Sequence, residues 1–144
     1  MDKFILLVED NPDDVLLTKR AFKKNNIMNE LLVVTSGIEA LDFLLYRGQH
    51  KDRPRENPVI ILLDIQLPGI NGIEVLEQIR ENPSTELIPV IMLTSSKEDQ
   101  DLIQSYKNGA NSYIRKPVDF TQFVSTVSQL GMYWLVLNEP PPIA

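Results

Sequence analysis

Short, unbroken apolar runs are the feature of this sequence that most restricts its fold. The runs Phe4 to Val8, Val59 to Leu63 and Val90 to Leu93 consist almost entirely of Val, Ile and Leu. A strand with one wet face alternates apolar and polar residues, whereas a strand of a parallel sheet is buried on both faces. Leu31 to Val34 and Tyr113 to Ile114 are two weaker strand candidates. The runs therefore predict parallel strands covered by helices.

Helix signals separate these runs. Ser, Asn and Asp are typical N-cap residues, whereas Gly and Pro end helices. The predicted helical segments begin at Asn11, Ser36, Asn71, Ser96 and Asp119, and three of them end near Gly48, Pro83 and Gly109. An alternation of about five strands and helices implies right-handed crossovers and an open, doubly wound α/β sheet. We expect residues 1–138 to form this domain and residues 139–144 to be a disordered, proline-rich tail.

Composition and charge exclude several classes of protein. The 144 residues carry a formal net charge of −6, which argues against nucleic-acid binding. The chain has no Cys and a single His, so disulfides and zinc sites are not expected. The N-terminal apolar run is too short for a signal peptide or a membrane span. We therefore expect a cytoplasmic protein that binds neither nucleic acid nor membrane.

Polar residues follow the apolar runs where the predicted strands end. Glu9 and Asp10 follow the first strand, Asp64 the third, Thr94 the fourth and Lys116 the fifth. Open parallel sheets bind ligands at the carboxyl ends of their strands. We therefore expect the three acids, the hydroxyl and the ammonium to meet at one edge of the sheet.

A cluster of three acids favours a bound cation. Oxygen ligands without Cys or His favour Mg²⁺, which keeps several waters and binds phosphate oxygens. The pattern therefore suggests a site that presents a phosphoryl group to Asp64, whose carboxylate acts as nucleophile and forms an aspartyl-phosphate. Mg²⁺ and Lys116 would neutralise the developing charge, and Thr94 would donate to a phosphoryl oxygen.

Each of these residues taken singly also has an ordinary structural explanation. Glu9 and Thr94 are typical of helix caps, Asp64 of a turn before Pro and Gly, and Lys116 of a turn before Pro117. Chance would rarely place all of these residues on strand ends together.

The chain resembles the receiver domain of two-component response regulators over nearly its whole length. The motifs that carry the resemblance are "LLVEDN", "ILLDIQLPGINGIEVL", "IPVIMLTSS" and "GANSYIRKPVD". The resemblance implies a flavodoxin-like (βα)5 fold with strand order 2-1-3-4-5. It also implies these roles: Asp64 as phosphoacceptor, Glu9 and Asp10 with Asp64 and the backbone carbonyl of Gln66 as the metal site, Lys116 as phosphate-binding lysine, Thr94 and Tyr113 as switch residues, and Lys116-Pro117 as a cis peptide.

By the same resemblance, a histidine kinase donates the phosphoryl group to Asp64. Thr94 then moves toward the phosphoryl group, Tyr113 turns inward, and the face formed by the fourth helix, fifth strand and fifth helix repacks. The protein would be a signalling protein that catalyses only its own phosphorylation and dephosphorylation, rather than an enzyme acting on other substrates.

The C-terminal segment "MYWLVL", residues 132–137, is apolar throughout. One helix face does not bury six successive apolar residues, so part of this surface is exposed or covered by another chain. Either the segment folds back on its own domain, or Tyr133 and Trp134 anchor a dimer or a partner. The chain ends after this segment, so we expect no output domain. This ending resembles single-domain regulators paired with bacterial phytochromes, which implies a phytochrome-type kinase and a homodimer on the side of the fourth helix, fifth strand and fifth helix.

Other classes of protein share parts of this pattern. A Mg²⁺-dependent phosphatase or dehalogenase-type hydrolase also uses an Asp nucleophile, but it typically places a second Asp two residues later, where this chain has Gln66. A flavodoxin-like electron carrier would not bind a flavin phosphate with the acidic loop "EDNPDD". A phosphorylation-independent interaction module is a third alternative.

Overall fold

The fold is a parallel sheet with helices on both faces. The computed structural model of the chain describes residues 4–116 and 120–139. The strands are β1 (Phe4–Val8), β2 (Glu30–Val34), β3 (Ile60–Leu63), β4 (Val90–Thr94) and β5 (Ser112–Arg115). The helices are α1 (Pro12–Lys24), α2 (Gly37–Leu44), α3 (Gly72–Glu81), α4 (Asp99–Lys107) and α5 (Phe120–Gly131). All strand pairs are parallel, and the order β2-β1-β3-β4-β5 confirms the predicted doubly wound fold.

Burial on both faces of the sheet explains the unbroken apolar runs. Every residue of the central strands β1, β3 and β4 is buried. Alternate residues enter opposite cores: Leu6 and Ile61 pack on one side of the sheet, whereas Ile5 and Leu62 pack on the other. The edge strands β2 and β5 are only partly buried, which is why their sequence signals were weaker.

The caps of α1 and α3 follow the sequence signals. The side chain of Asn11 accepts hydrogen bonds from the backbone N–H groups of Asp13 and Asp14, and Pro12 opens the helix. Asn71 and Glu74 form a reciprocal capping box at the start of α3. The helix α1 thus begins shortly after β1 ends, whereas α3 begins after the loop that follows β3.

Two predicted helix boundaries were wrong. The helix α4 begins at Asp99, with Glu98 at its N-cap, and Ser96 instead lies in the loop that leads into it. The helix α2 ends at Leu44, well before Gly48. It ends early because Tyr46 adopts a left-handed conformation, φ 58°, and the N–H of Arg47 turns back to the carbonyl of Asp42. The predicted cap Asp119 lies outside the described residues.

The charged loop between α2 and β3 is held to the domain by Arg53. Its Nε donates to the carbonyl of Phe43 at 2.6 Å, and its guanidinium lies over the rings of Phe43 and Tyr46, 3.9 and 4.2 Å from their centroids. Cation–π contacts of this kind help to hold the loop against the domain. The loop lies away from the carboxyl edge of β3.

The apolar C-terminal segment is a π-helical continuation of α5, Met132–Leu137. Met132, Tyr133 and Leu137 are exposed, whereas Trp134 is half-buried against the core on the α1 and α5 side of the sheet. The expectation that the segment is only partly buried is therefore confirmed. None of the helices in the described ranges combines the length and the apolar character that a membrane span requires.

Candidate functional site

Three carboxylates meet at the carboxyl edge of the sheet. The strands β1 and β3 pair with Val8 opposite Leu63, so Glu9 and Asp64 follow neighbouring strand ends. Oxygens of Glu9, Asp10 and Asp64 lie within 4.8 Å of one another, close enough to share one metal ion. Glu9 and Asp64 are buried, 2% and 6% exposed, whereas Asp10 is open to solvent. Three carboxylates suit a hard divalent cation such as Mg²⁺.

Lys116 reaches this cluster from the far side of β4. Its backbone N–H donates to the carbonyl of Thr94 at 2.8 Å, which continues the pairing of β4 and β5. Its ammonium contacts the Glu9 carboxylate and lies 3.3 Å from Oδ2 of Asp64. The side chain is 9% exposed, so the ammonium is a buried charge paired by carboxylates.

The ammonium has a further partner, Asp14, that the sequence analysis missed. Oδ2 of Asp14 lies 3.0 Å from Nζ of Lys116. Asp14 lies in the first turn of α1, where an acid is ordinarily explained by its favourable interaction with the helix dipole. The sequence did contain a signal for this contact, namely the location of Asp14: α1 begins at the edge of the sheet where β1 ends.

Burial and neighbouring charges shift the pKa values in this cluster. The pKa of Glu9 is raised to about 7: burial is the main cause, the charge of Asp64 adds to it, and the contact with Lys116 opposes both effects. For Lys116, burial alone would lower the pKa, but Glu9 and Asp64 outweigh burial and hold the pKa above its usual value. The lysine is therefore cationic at neutral pH and balances part of the negative charge of the cluster.

The loop after β3 is packed tightly under Asp64. The N–H of Gln66 donates to Oδ1 of Asp64 at 3.3 Å, and the N–H of Gly72 donates to the carbonyl of Ile65 at 2.8 Å. A Cβ at Gly72 would lie 2.0 Å from the carbonyl oxygen of Asp64, so no larger residue fits there. This contact fixes the start of α3 against the backbone that carries the Asp64 carboxylate.

The predicted switch residues lie on the neighbouring strands β4 and β5, where Thr94 pairs with Arg115 and Tyr113 with Met92. Thr94 is fully buried, and its hydroxyl accepts a hydrogen bond from the N–H of Ser96 at 3.2 Å. The hydroxyl of half-buried Tyr113 donates to the carbonyl of Ser96 at 3.5 Å. Burial raises the pKa of Tyr113, and the charges of Asp101 and Asp64 raise it further. Ser96, which the sequence analysis had assigned only as a cap, thus connects Thr94 and Tyr113.

The structure therefore brings together most of the predicted site. Glu9, Asp10, Asp64 and Lys116 form one cluster, and Thr94 ends the strand beside it. Pro117, the predicted cis residue, lies outside the described residues. The role of the Gln66 carbonyl stays a prediction.

Comparisons with known proteins identify the family. A model of the response regulator receiver domain matches residues 5–128. The probable methanogenesis regulatory protein FilR2 of Methanothrix harundinacea is 40% identical over 138 residues, 95% of this chain and 86% of that protein. The response regulator Rcp1 of Synechocystis is 38% identical over 133 residues, 92% of this chain and 89% of that protein.

Solved structures agree with this match. The phosphorylated cyanobacterial phytochrome response regulator RcpA superposes with a TM-score of 0.91 at 34% identity, covering 99% of this chain and all of that one. The Mn²⁺-bound form of Rcp1 superposes with a TM-score of 0.88 at 36% identity, covering 97% of this chain and 99% of that one. With its sheet order, its acidic cluster and these relatives, the chain belongs to the response regulator receiver domain family.

Proposed function

We propose that this receiver domain accepts a phosphoryl group on Asp64 from a histidine kinase. The observation that carries the proposal is the contact between the buried Asp64 carboxylate and the Lys116 ammonium, 3.3 Å apart, beside two further acids. The Asp64 carboxylate can act as the nucleophile, and the neighbouring ammonium would neutralise charge on the incoming phosphoryl group. The reaction forms a bond between an Asp64 oxygen and phosphorus and breaks the bond between phosphorus and the kinase histidine.

Glu9, Asp10 and Asp64, together with the backbone carbonyl of Gln66, would hold Mg²⁺, which neutralises phosphoryl oxygens when bound. The relative Rcp1 has a Mn²⁺-bound form, which supports a divalent ion in this chain. The chain's own residues supply the other interactions with the phosphoryl group. Lys116 offers its ammonium to a phosphoryl oxygen, and the buried strand ends keep the reacting groups in fixed positions.

The hydrogen bonds of Thr94 suit a switch. Its hydroxyl oxygen accepts from the N–H of Ser96, so the hydroxyl proton is free to point toward a phosphoryl oxygen. A movement of Thr94 toward Asp64 would release that N–H. It would also displace the Ser96 carbonyl, which accepts a hydrogen bond from the Tyr113 hydroxyl. Tyr113 would then turn further inward, which shifts the population between two arrangements of the face made by α4, β5 and α5.

The same face is the proposed partner surface. Ile103 and Tyr106 of α4 are both 52% exposed, and Tyr133 of the C-terminal segment is also exposed. Tyr133 packs edge-on against Trp134, with ring centroids 5.0 Å apart. We propose a homodimer through α4, β5, α5 and this aromatic pair. RcpA, a phytochrome response regulator, supports a phytochrome-type kinase as the donor.

The remaining features of the proposal concern the chain as a whole. Residues 1–138 form the receiver domain, and residues 139–144 are the tail. The protein works in the cytoplasm and catalyses only its own phosphorylation and dephosphorylation. A hydrolase acting on small substrates is disfavoured because Gln66, in place of an acid, cannot serve as a general acid and base.

Intact-protein mass spectrometry tests the phosphoacceptor. The wild-type protein, incubated with acetyl phosphate and Mg²⁺, should gain one phosphoryl group, and EDTA should prevent this. Asp64→Asn should gain none, whereas Asp52→Asn, at an exposed position in the loop before β3, should behave as the wild type. An adduct on Asp64→Asn, or none on the wild type, would refute the proposal. Size-exclusion chromatography of the same samples then tests the phosphorylation dependence of the dimer.

A further inference from the structure

The contact between Lys116 and Asp14 has no role in the mechanism above. We propose that Asp14 is a positioning residue that occupies part of the Lys116 ammonium and thereby slows phosphoryl transfer to Asp64. The inference rests on the proposed phosphoacceptor function and deepens it, because it names a residue that sets the rate at that site.

The hydrogen-bonding capacity of Lys116 is the first argument. An ammonium has three N–H donors. Glu9, Asp14 and Asp64 each accept one of them, so the group has no donor left for an incoming phosphoryl oxygen. One of the three contacts must be broken before Lys116 binds the phosphoryl group.

The position of Asp14 decides which contact is broken. Its side chain is 33% exposed, whereas those of Glu9 and Asp64 are 2% and 7% exposed. Water replaces the lost partner readily at a partly exposed carboxylate. Glu9 and Asp64 are also the proposed Mg²⁺ ligands, so bound metal would weaken their hold on Lys116, whereas Asp14 lies outside the metal cluster and would keep its contact. The Asp14 contact is therefore the one that a phosphoryl oxygen displaces, and its strength opposes the transfer.

The backbone of Asp14 is fixed, so its carboxylate does not follow Lys116 into the site. Its N–H donates to the side chain of Asn11 at 3.3 Å, and its carbonyl accepts from the hydroxyl of Thr18 at 2.8 Å. The distance of 3.0 Å from Nζ of Lys116 to Asp14 is shorter than the 3.3 Å to Asp64. In the resting structure, the ammonium is thus closer to the helix than to the phosphoacceptor.

The neighbouring residue provides a matched control. Asp13 lies in the same first turn of α1, carries the same charge and is exposed, yet it makes no contact with Lys116 among the described residues. Asp13→Ala therefore removes one negative charge from the same turn of the same helix. A difference between Asp14→Ala and Asp13→Ala reports the Lys116 contact rather than net charge.

The experiment measures the rate of adduct formation with acetyl phosphate and Mg²⁺ over a range of donor concentrations. We expect Asp14→Ala to raise the rate at saturating donor by about three- to tenfold, the effect of one charge-assisted contact. Asp13→Ala should change only the donor concentration needed for half-saturation, and that change should vanish at high salt. Asp14→Glu, which keeps a carboxylate, should return the rate toward that of the wild type. Thermal unfolding checks that each variant is folded.

The outcomes separate the two proposals. An adduct on the wild type with an unchanged or lower saturating rate for Asp14→Ala would overturn the role of Asp14 and leave the phosphoacceptor function intact. Equal acceleration by Asp13→Ala and Asp14→Ala would also overturn it, since net charge would then explain the effect. No adduct on any variant would refute the phosphoacceptor function and with it this inference.

Discussion

The hydroxyl of Ser96 donates a hydrogen bond to the carboxylate of Asp101 across 2.6 Å. This bond ties the loop after β4 to the first turn of α4, whose N-cap residue Glu98 makes no side-chain capping bond. Through its backbone, Ser96 also contacts Thr94 and Tyr113. Ser96 therefore connects both predicted switch residues to the helix that they are expected to move.

We expect Ser96→Ala to loosen the start of α4. The loss of a bond to a charged acceptor should lower the free energy of unfolding by about 1–3 kcal/mol. Amide hydrogen exchange should increase in residues 98–102, while the central strands stay protected. Ser95→Ala, at an exposed neighbouring position, should change neither measurement. Unchanged exchange in residues 98–102 of Ser96→Ala would show that the bond does not hold the helix.

We expect that lysine cannot replace the stabilising hydrogen bonds of the Arg80 guanidinium. It donates to the carbonyls of Gly109, Glu86 and Ile88 and to the side chain of Asn111, with distances between 2.7 and 2.9 Å. A lysine has too few donors in the wrong geometry for this set. We expect Arg80→Lys to lower the free energy of unfolding by about 2–4 kcal/mol in denaturant titrations.

The control for Arg80 is Arg20→Lys, because Arg20 is exposed on α1. It should stay within about 0.5 kcal/mol of the wild type, as is usual for surface substitutions. Equal effects of the two substitutions would mean that the Arg80 bonds contribute nothing to stability.

The two glycines of the loop after β3 should respond differently to alanine. A Cβ at Gly72 would overlap the carbonyl oxygen of Asp64, whereas a Cβ at Gly69 meets nothing within 4 Å. Gly72→Ala should therefore displace the Asp64 backbone, destabilise the fold by about 3 kcal/mol or more, and reduce adduct formation. Gly69→Ala, where φ is 74°, should cost only about 1 kcal/mol of backbone strain and keep the site active. Similar losses in both variants would contradict the close contact at Gly72.

The affinity for Mg²⁺ should rise with pH because of Glu9. Its pKa in the metal-free fold is about 7, above the ordinary value of 4.5. The folded state thus holds this proton more tightly than the unfolded state, so this contribution to stability is complete below pH 4.5 and disappears as the pH rises through 7. A metal ligand must be deprotonated, so Mg²⁺ binding and protonation of Glu9 oppose each other.

Calorimetric titration with Mg²⁺ at pH about 6 and about 8 should show tighter binding at the higher pH in the wild type. Glu9→Gln should bind more weakly and with little pH dependence. Asp10→Asn, which removes the exposed carboxylate among the proposed ligands, should weaken binding but keep the dependence on pH. The same pH dependence in Glu9→Gln would assign the proton to another group.

The sequence predicted the sheet and most of the site because both depend on local patterns. Central strands buried on two faces must be apolar throughout, and polar residues on the strand ends share one edge of a parallel sheet. The start of α4 was not predictable in this way. Ser96 has the sequence signature of an N-cap, but its hydroxyl bonds to a carboxylate on the helix, and the chain enters α4 only after Glu98.

The role of Asp14 was hidden for a related reason. An acid in the first turn of a helix is fully explained by the helix dipole, so the sequence offers no cause to look further. Its contact joins residues 102 positions apart in the chain, and it depends on the direction of α1 relative to β5. Such contacts follow from tertiary packing and leave no periodic trace in the sequence.

The two ends of α4 are held by different contacts. Arg80, which is partly buried, donates to the Gly109 carbonyl and the Asn111 side chain just beyond its C-terminal end. At its N-terminal end the Ser96 hydroxyl bonds Asp101 and the Glu98 N–H, and Arg115 pairs with the exposed Asp99. If the C-terminal end of α4 stays in place, a displacement of its N-terminal end changes the orientation of the helix. The nine residues of α4 span about 13 Å. A small shift at Ser96 would therefore tilt the helix and move the exposed side chains of Ile103 and Tyr106 by different distances. The affinity of a partner bound to Ile103 and Tyr106 would therefore depend on the tilt of α4 and not on the position of a single atom.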